Sequence, residues 1–413
     1  MTDAHTAAER FSPLAGILPL FVTTFCSYFT IGAALPVIPL FVHGTLGYGP
    51  VIVGIAIGAQ ALVTVLTRAW AGMRIDHDGP KAGMLLGVVA CTLAGLCYLG
   101  AAGLAANPLA SLATLLLGRV VLGVGDSFVV TGALSWGIAR LGAQHSGRVM
   151  TWHGIAMYGA VAAGAPVGLA LAQARGFAAV AALVILLPLV SLLVAAGTAR
   201  AAVHAGPRLP FSAVLGQVWR PGVGLALGSV GFAAVTTFAT LLFVTRHWSG
   251  TAFALSVFAC AYVLPRSLFS GITDRLGGAR VAAASLACEA LGQLLIWVAP
   301  GSALAFAGLA FAGLGCSMMY PGLGVVAIAR VPPQSRGAAL GAYGSFFNLS
   351  MGLSGPLLGA VAAHFGYAAI YLCGGLGAAA AAALAWRLGR GAGTNHSAGS
   401  DRGAGSDRGD ARS

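Results

Sequence analysis

Two stretches decide how this chain is read: Gly72-Met-Arg-Ile-Asp76-His-Asp-Gly79-Pro-Lys81 and Ser270-Gly-Ile-Thr-Asp274-Arg-Leu-Gly277-Gly-Ala-Arg280. Each lies between two long hydrophobic runs and sets an acid, a glycine and a base where one run gives way to the next. A shift of 198 residues carries Arg68 onto Arg266, Asp76 onto Asp274 and Gly79 onto Gly277. A shift of 190 carries Gly123, Gly125 and Ser127 onto Gly313, Gly315 and Ser317. It continues through Arg140/Arg330, Gln144/Gln334, Gly154/Gly344, Pro166/Pro356 and Gly176/Gly366. A gap-free match over that length marks an internal duplication.

Working outward, 58% of the 413 residues are hydrophobic and 8% charged, with a mean hydropathy of +0.89. That balance is too apolar for a water-soluble domain of this length. Twelve apolar segments are long enough to cross a hydrocarbon core of ~30 Å: about 14–41, 50–72, 82–105, 110–138, 149–173, 177–198, 221–245, 251–271, 281–300, 302–329, 337–363 and 366–386. The predicted fold is an all-α membrane protein, twelve transmembrane helices in two six-helix pseudo-symmetric bundles. Residues 1–198 and 221–390 form the bundles, a polar and basic linker covers 199–220, and a tail at 391–413 is too poor in large apolar residues to pack. The 61 glycines suit close helix approach in lipid.

Basic residues gather at the N-terminus (Arg10), in alternate loops (Arg74, Lys81, Arg140) and in the tail, whereas the opposite loops hold Arg175 and Arg246. The positive-inside rule then puts both termini in the cytoplasm. The net charge of +12 has this topological explanation, so nucleic-acid binding is not implied. The seven cysteines lie inside spans without metal-ligand spacing and read as packing residues. No metal or cofactor is expected. Phosphate-binding loops, nucleophile elbows and zinc-protease motifs are absent, so the chain is not read as an enzyme.

Ionisable residues inside spans are expensive and ask for a partner or a role. Arg119 and Asp126 fall seven residues apart on the fourth span and share a face with Gly123. Their repeat equivalents are Leu309 and Cys316, so this pair is special to the first half. Asp126 either exchanges a proton or meets a cationic solute group, with Arg119 tuning it; the alternative is a polar cluster that fixes the helix. Arg68 and Arg266 are read as buried structural charges, Arg266 pairing with Glu289. Gly72, Asp76, Gly79, Lys81, Asp274, Arg275, Gly277 and Arg280 form the gating loops, with simple loop capping as the alternative. Tyr28, Gln60, Tyr158 and Asn348 are candidates for lining a central cavity, the last two being repeat equivalents.

The loop at 72–81 resembles the motif between helices 2 and 3 of the major facilitator superfamily. Gly118-Arg119-Val-Val-Leu-Gly123-Val-Gly125 resembles its helix-4 motif, and Gly164-Ala-Pro166-Val-Gly168 its antiporter-associated helix-5 motif. Ser27-Tyr28-Phe-Thr-Ile-Gly32, Gly147-Arg-Val-Met-Thr-Trp152-His-Gly154 and Val331-Pro-Pro-Gln-Ser-Arg-Gly-Ala-Ala-Leu340 resemble the YhhS group of that superfamily. The resemblance implies a monomeric secondary transporter of a bacterial inner membrane, moving a small solute by alternating access. Proton-coupled efflux is the favoured mode. A sugar or organic-acid importer or uniporter, and a non-transporting receptor or scaffold, are the alternatives.

Overall fold

The computed structural model describes residues 13–141, 146–198, 211–268, 272–331 and 336–403. Arg10, Gln144, the linker before Phe211, the start of the second loop signature at 270–271 and the last ten residues of the tail lie outside them, as does the side chain of Asp274.

The chain runs α1 (Pro13–Ala34), α2 (Val37–Leu40), α3 (Pro50–Asp78), α4 (Pro80–Gly103), α5 (Pro108–Leu141), α6 (Ser146–Arg175) and α7 (Phe177–Gly197). The second half follows as α8 (Phe211–Thr245), α9 (Ala254–Leu268), α10 (Ile272–Leu276), α11 (Gly278–Trp297), α12 (Ser302–Ile328), α13 (Arg336–Phe365) and α14 (Ala369–Gly403). Among the described residues, eleven helices are long and apolar enough to span a membrane, and the segment Thr251–Arg266 is apolar but shorter. It occupies the predicted eighth span. The polar segment 199–220 is already helical from Phe211, and α14 continues past Arg390 into the predicted tail.

Local chemistry explains the breaks. Pro50, Pro80 and Pro108 open helices, where a missing N–H costs nothing. Two repeat pairs of glycines turn the chain in the left-handed region: Gly79 and Gly277 at φ 91° and 83°, and Gly176 and Gly366 at 76° and 80°. The first loop is shorter than expected. Helix α3 runs to Asp78, leaving Gly79 alone between α3 and α4, so Asp76 lies in the last turn of a helix.

Within the first half α4 packs on α5 and α7, α3 on α5, and α1 on α6 and α7; in the second, α11 packs on α12 and α14, α12 on α9, and α8 on α13 and α14. The halves meet where α3 faces α13 and α6 faces α9. At the end of α3 remote from Gly79 this interface is backbone against backbone. A Cβ on Gly58 would lie 2.5 Å from the Gly352 carbonyl oxygen, and Gly54 and Gly355 are in still closer contact. Leucines such as Leu66, Leu193 and Leu357 cover the outside, as an acyl-chain solvent requires.

Candidate functional site

Helix α5 lies along α3 in a register that repeats every turn. Arg119 sends Nε to the Ala56 carbonyl (2.7 Å) and Nη2 to the Ile57 carbonyl (2.8 Å). One turn on, Gly123 has no side chain, and a Cβ there would sit 2.6 Å from the Gln60 carbonyl oxygen. A further turn brings the Ser127 hydroxyl to the Thr64 carbonyl at 2.8 Å. The second half reproduces this last contact: the Ser317 hydroxyl donates to the Tyr262 carbonyl at 2.5 Å. Ser127 and Ser317, and Thr64 and Tyr262, are the repeat pairs of the 190- and 198-residue shifts.

The shared face of Arg119 and Asp126 is thus the α3 side of α5, but the two side chains do different things. Arg119 is 2% exposed and also donates to the Tyr98 hydroxyl at 3.4 Å. Its partners are carbonyls and a phenol, and it does not reach Asp126. Asp126, half-buried, accepts from the Tyr28 hydroxyl on α1 at 2.6 Å through Oδ1. Its Oδ2 lies 3.3 Å from the Thr64 hydroxyl, which also reaches the Gln60 and Gly123 carbonyls. Tyr28 stands edge-on to His153 on α6, whose Nδ1 is 3.5 Å from the Thr24 hydroxyl. Tyr28 therefore joins three helices around one carboxylate.

Arg68 and Arg266 occupy places that the sequence reading did not give them. A Cβ on Gly344 of α13 would lie 3.5 Å from Arg68 Nη1, and one on Gly154 of α6 would lie 3.2 Å from Arg266 Nη1. Each arginine crosses to the opposite half at the repeat-equivalent glycine. Arg68 lies within electrostatic range of Asp126, Tyr28, His153 and Tyr320. Arg266 donates through Nε to the Ser317 carbonyl (3.1 Å) and through Nη2 to the Tyr262 hydroxyl (2.7 Å). Its guanidinium lies 4.6 Å from the Tyr262 ring centre and 5.4 Å from that of Tyr158. Tyr158 and Tyr262 meet across the halves at 3.9 Å between ring centres, with Phe232 beside both. The clue available in the sequence was that both copies of the repeat keep an arginine here.

The expected Arg266–Glu289 pair does not form. Glu289 is fully buried in the second half, beside Cys316 and pressed towards Gly231 of α8, and it is in no ion pair among the described residues. The cause is packing: α11 lies on α12 and α14, while α9, which carries Arg266, faces α6 and α12. Matching depths in the membrane brought the two no closer.

In the loop signatures, Lys81 donates to the Ala196 and Thr198 carbonyls at 2.6 and 2.7 Å, capping the end of α7 within its own half. Arg74 pairs with Asp78 at 2.6 Å one turn on. Arg275, Gly277 and Arg280 are exposed, and Asp76 and Gly72 are half-buried. Gln60 is buried on the α5 side of α3, and Asn348 is half-buried on α13.

The model of the Major Facilitator Superfamily matches residues 20–265 and again 223–407. An uncharacterized MFS-type transporter of Burkholderia mallei is 43% identical over 376 residues, 91% of this chain and 92% of the relative. One of Salmonella typhimurium is 42% identical over 359 residues, 86% of this chain and 92% of the relative. Among solved structures, a D-xylose–proton symporter aligns with a TM-score of 0.74 at 16% identity, over 90% of this chain and 97% of that one. The human organic anion transporter MFSD10 aligns with 0.69 at 15% identity, over 91% and 99%. Two repeated halves of apolar helices, matched by the family model and by these relatives along almost the whole chain, place this chain in the major facilitator superfamily, a family of transporters.

Proposed function

We propose that this transporter exports a small solute across a bacterial inner membrane in exchange for protons, with Asp126 as the proton-carrying group. The observation that carries the reading is the Tyr28–Asp126 contact at 2.6 Å. Asp126 and Glu289 are the acids within the spans. Asp126 is half-buried where α1, α3 and α5 converge, whereas Glu289 is sealed inside the second half.

In this mechanism the ionised carboxylate is held by Tyr28 and Thr64, and protonation releases that grip. Tyr28 is then free to turn, and α1 loses its tie to α5. The halves, 1–198 and 221–390, tilt about the interface between α3 and α13. Glycines at 54, 58, 352 and 355 make a smooth seam at one end, which suits a contact that opens and closes. Both termini lie in the cytoplasm, and the protein acts as a monomer. The narrower resemblance to the YhhS group belongs to this same reading.

The test is release from proteoliposomes loaded with a pooled small-solute mixture, with the outside made acidic. An exporter empties at least one solute from wild-type vesicles faster with the gradient than without it. Gradient-driven accumulation in place of release would assign an importer.

A further inference from the structure

A guanidinium within the hydrocarbon region costs several kcal/mol unless acceptors or an anion meet it. Three arginines of this chain solve that problem differently. Arg119 has its partners within the first half. Arg266 uses Nε and Nη2 inside the second half and extends Nη1 towards Gly154 of the first. Arg68 has Nε enclosed with no hydrogen-bond partner and Nη1 at Gly344 of the second half. Neither Arg68 nor Arg266 is in an ion pair among the described residues. Tyr320 lies within electrostatic range of both.

Asp126 does not neutralise the pair. It is one charge against two, and its oxygens are engaged by Tyr28 and Thr64. Glu289 lies inside the second half. The interface between the halves therefore carries excess positive charge beside the rings of Tyr158, Tyr262 and Phe232.

We infer that Arg68 and Arg266 are the two arms of a receptor for an organic anion, one arm from each half, closing on a carboxylate-like oxyanion while Tyr158, Tyr262 and Phe232 hold its apolar body. Guanidinium suits this task because its planar fork presents paired donors to paired oxygens. Glycine at 154 and 344 lets each arm reach across without striking a side chain. An anion held by both arms draws the halves together, and its departure leaves two like charges facing each other across the seam. This inference rests on the interface being the solute path and adds the charge class of the solute.

The experiment is a binding titration of the full chain in detergent, read by tryptophan fluorescence and thermal unfolding. The probes are benzoate, phenylphosphonate, benzamide and benzylamine. The expected result is that at least one of the two anions binds, and that benzamide and benzylamine do not compete with it. Arg68→Gln and Arg266→Gln should each weaken that binding about ten-fold or more, the loss expected for a charge-assisted hydrogen bond. Should a variant fail to yield monodisperse protein, the wild-type ranking of benzoate and phenylphosphonate over benzamide decides the matter alone. Equal binding of benzoate and benzamide, no response to either anion, or arginine variants that titrate like wild type would overturn the inference. Proton coupling is untouched by such a failure, because the titration involves no gradient and no flux.

Discussion

Tyr28 on α1 donates its hydroxyl to Asp126 on α5 across 2.6 Å, and this single bond ties together two helices otherwise joined mostly through their neighbours. A hydrogen bond to a charged acceptor contributes about 1.5–3 kcal/mol. Tyr28→Phe removes the donor and keeps the ring against His153. Gradient-driven flux should fall by about ten-fold or more on that scale, with yield and unfolding temperature little changed. Flux equal to wild type would show that the bond has no part in coupling.

Arg119 serves as a clamp between α5 and α3. Arg119→Ala should lower stability by about 2–4 kcal/mol, from the lost charge-assisted bonds and the space left behind. Thermal unfolding in detergent measures it. A stable variant with abolished proton coupling would instead make Arg119 part of the coupling machinery.

Two glycines separate packing from motion. Gly123 lies inside the first half against the Gln60 carbonyl, and Gly58 lies between the halves against that of Gly352. Gly123→Leu should prevent α3 from docking on α5 and reduce folded yield sharply. Gly58→Leu should leave each half folded and monodisperse yet stop transport, because the seam can no longer close. Size-exclusion profiles and flux, measured together, distinguish the two outcomes.

Glu289 and Arg266 are independent. Reversing both charges should fail to restore what either reversal alone destroys, since their helices face different neighbours. Glu289→Gln should be tolerated within about 1 kcal/mol, because no ion pair is broken. Recovery of expression in the double reversal would contradict the structure.

Hydropathy placed the spans because lipid demands long apolar runs, and the duplication was visible because both halves keep the same small and charged residues at one spacing. The Ser127–Thr64 and Ser317–Tyr262 bonds are that repeat seen as geometry. The helical period also set Arg119, Gly123 and Asp126 on one face. What the face packs against was not legible, and neither was the crossing of Arg68 and Arg266 to the other half. Helices that are apolar all round carry no polar stripe to orient them, so sequence gave depth in the membrane without direction around the axis. Depth alone suggests an Arg266–Glu289 pair, but depth does not decide which helices face each other. The loop at 72–81 is shorter than hydropathy implies for a local reason: the run of α3 to Asp78 depends on the turn at Gly79, which hydropathy does not sense.

The most direct test of the account records proton movement itself. Proteoliposomes holding a pH-sensitive dye are loaded with the pooled solutes, and an acidic exterior is imposed on wild type and Asp126→Asn. Solute-dependent acidification of the interior in wild type, absent from an equally well-inserted Asp126→Asn, is the predicted result. Full solute-dependent proton entry through Asp126→Asn would contradict it.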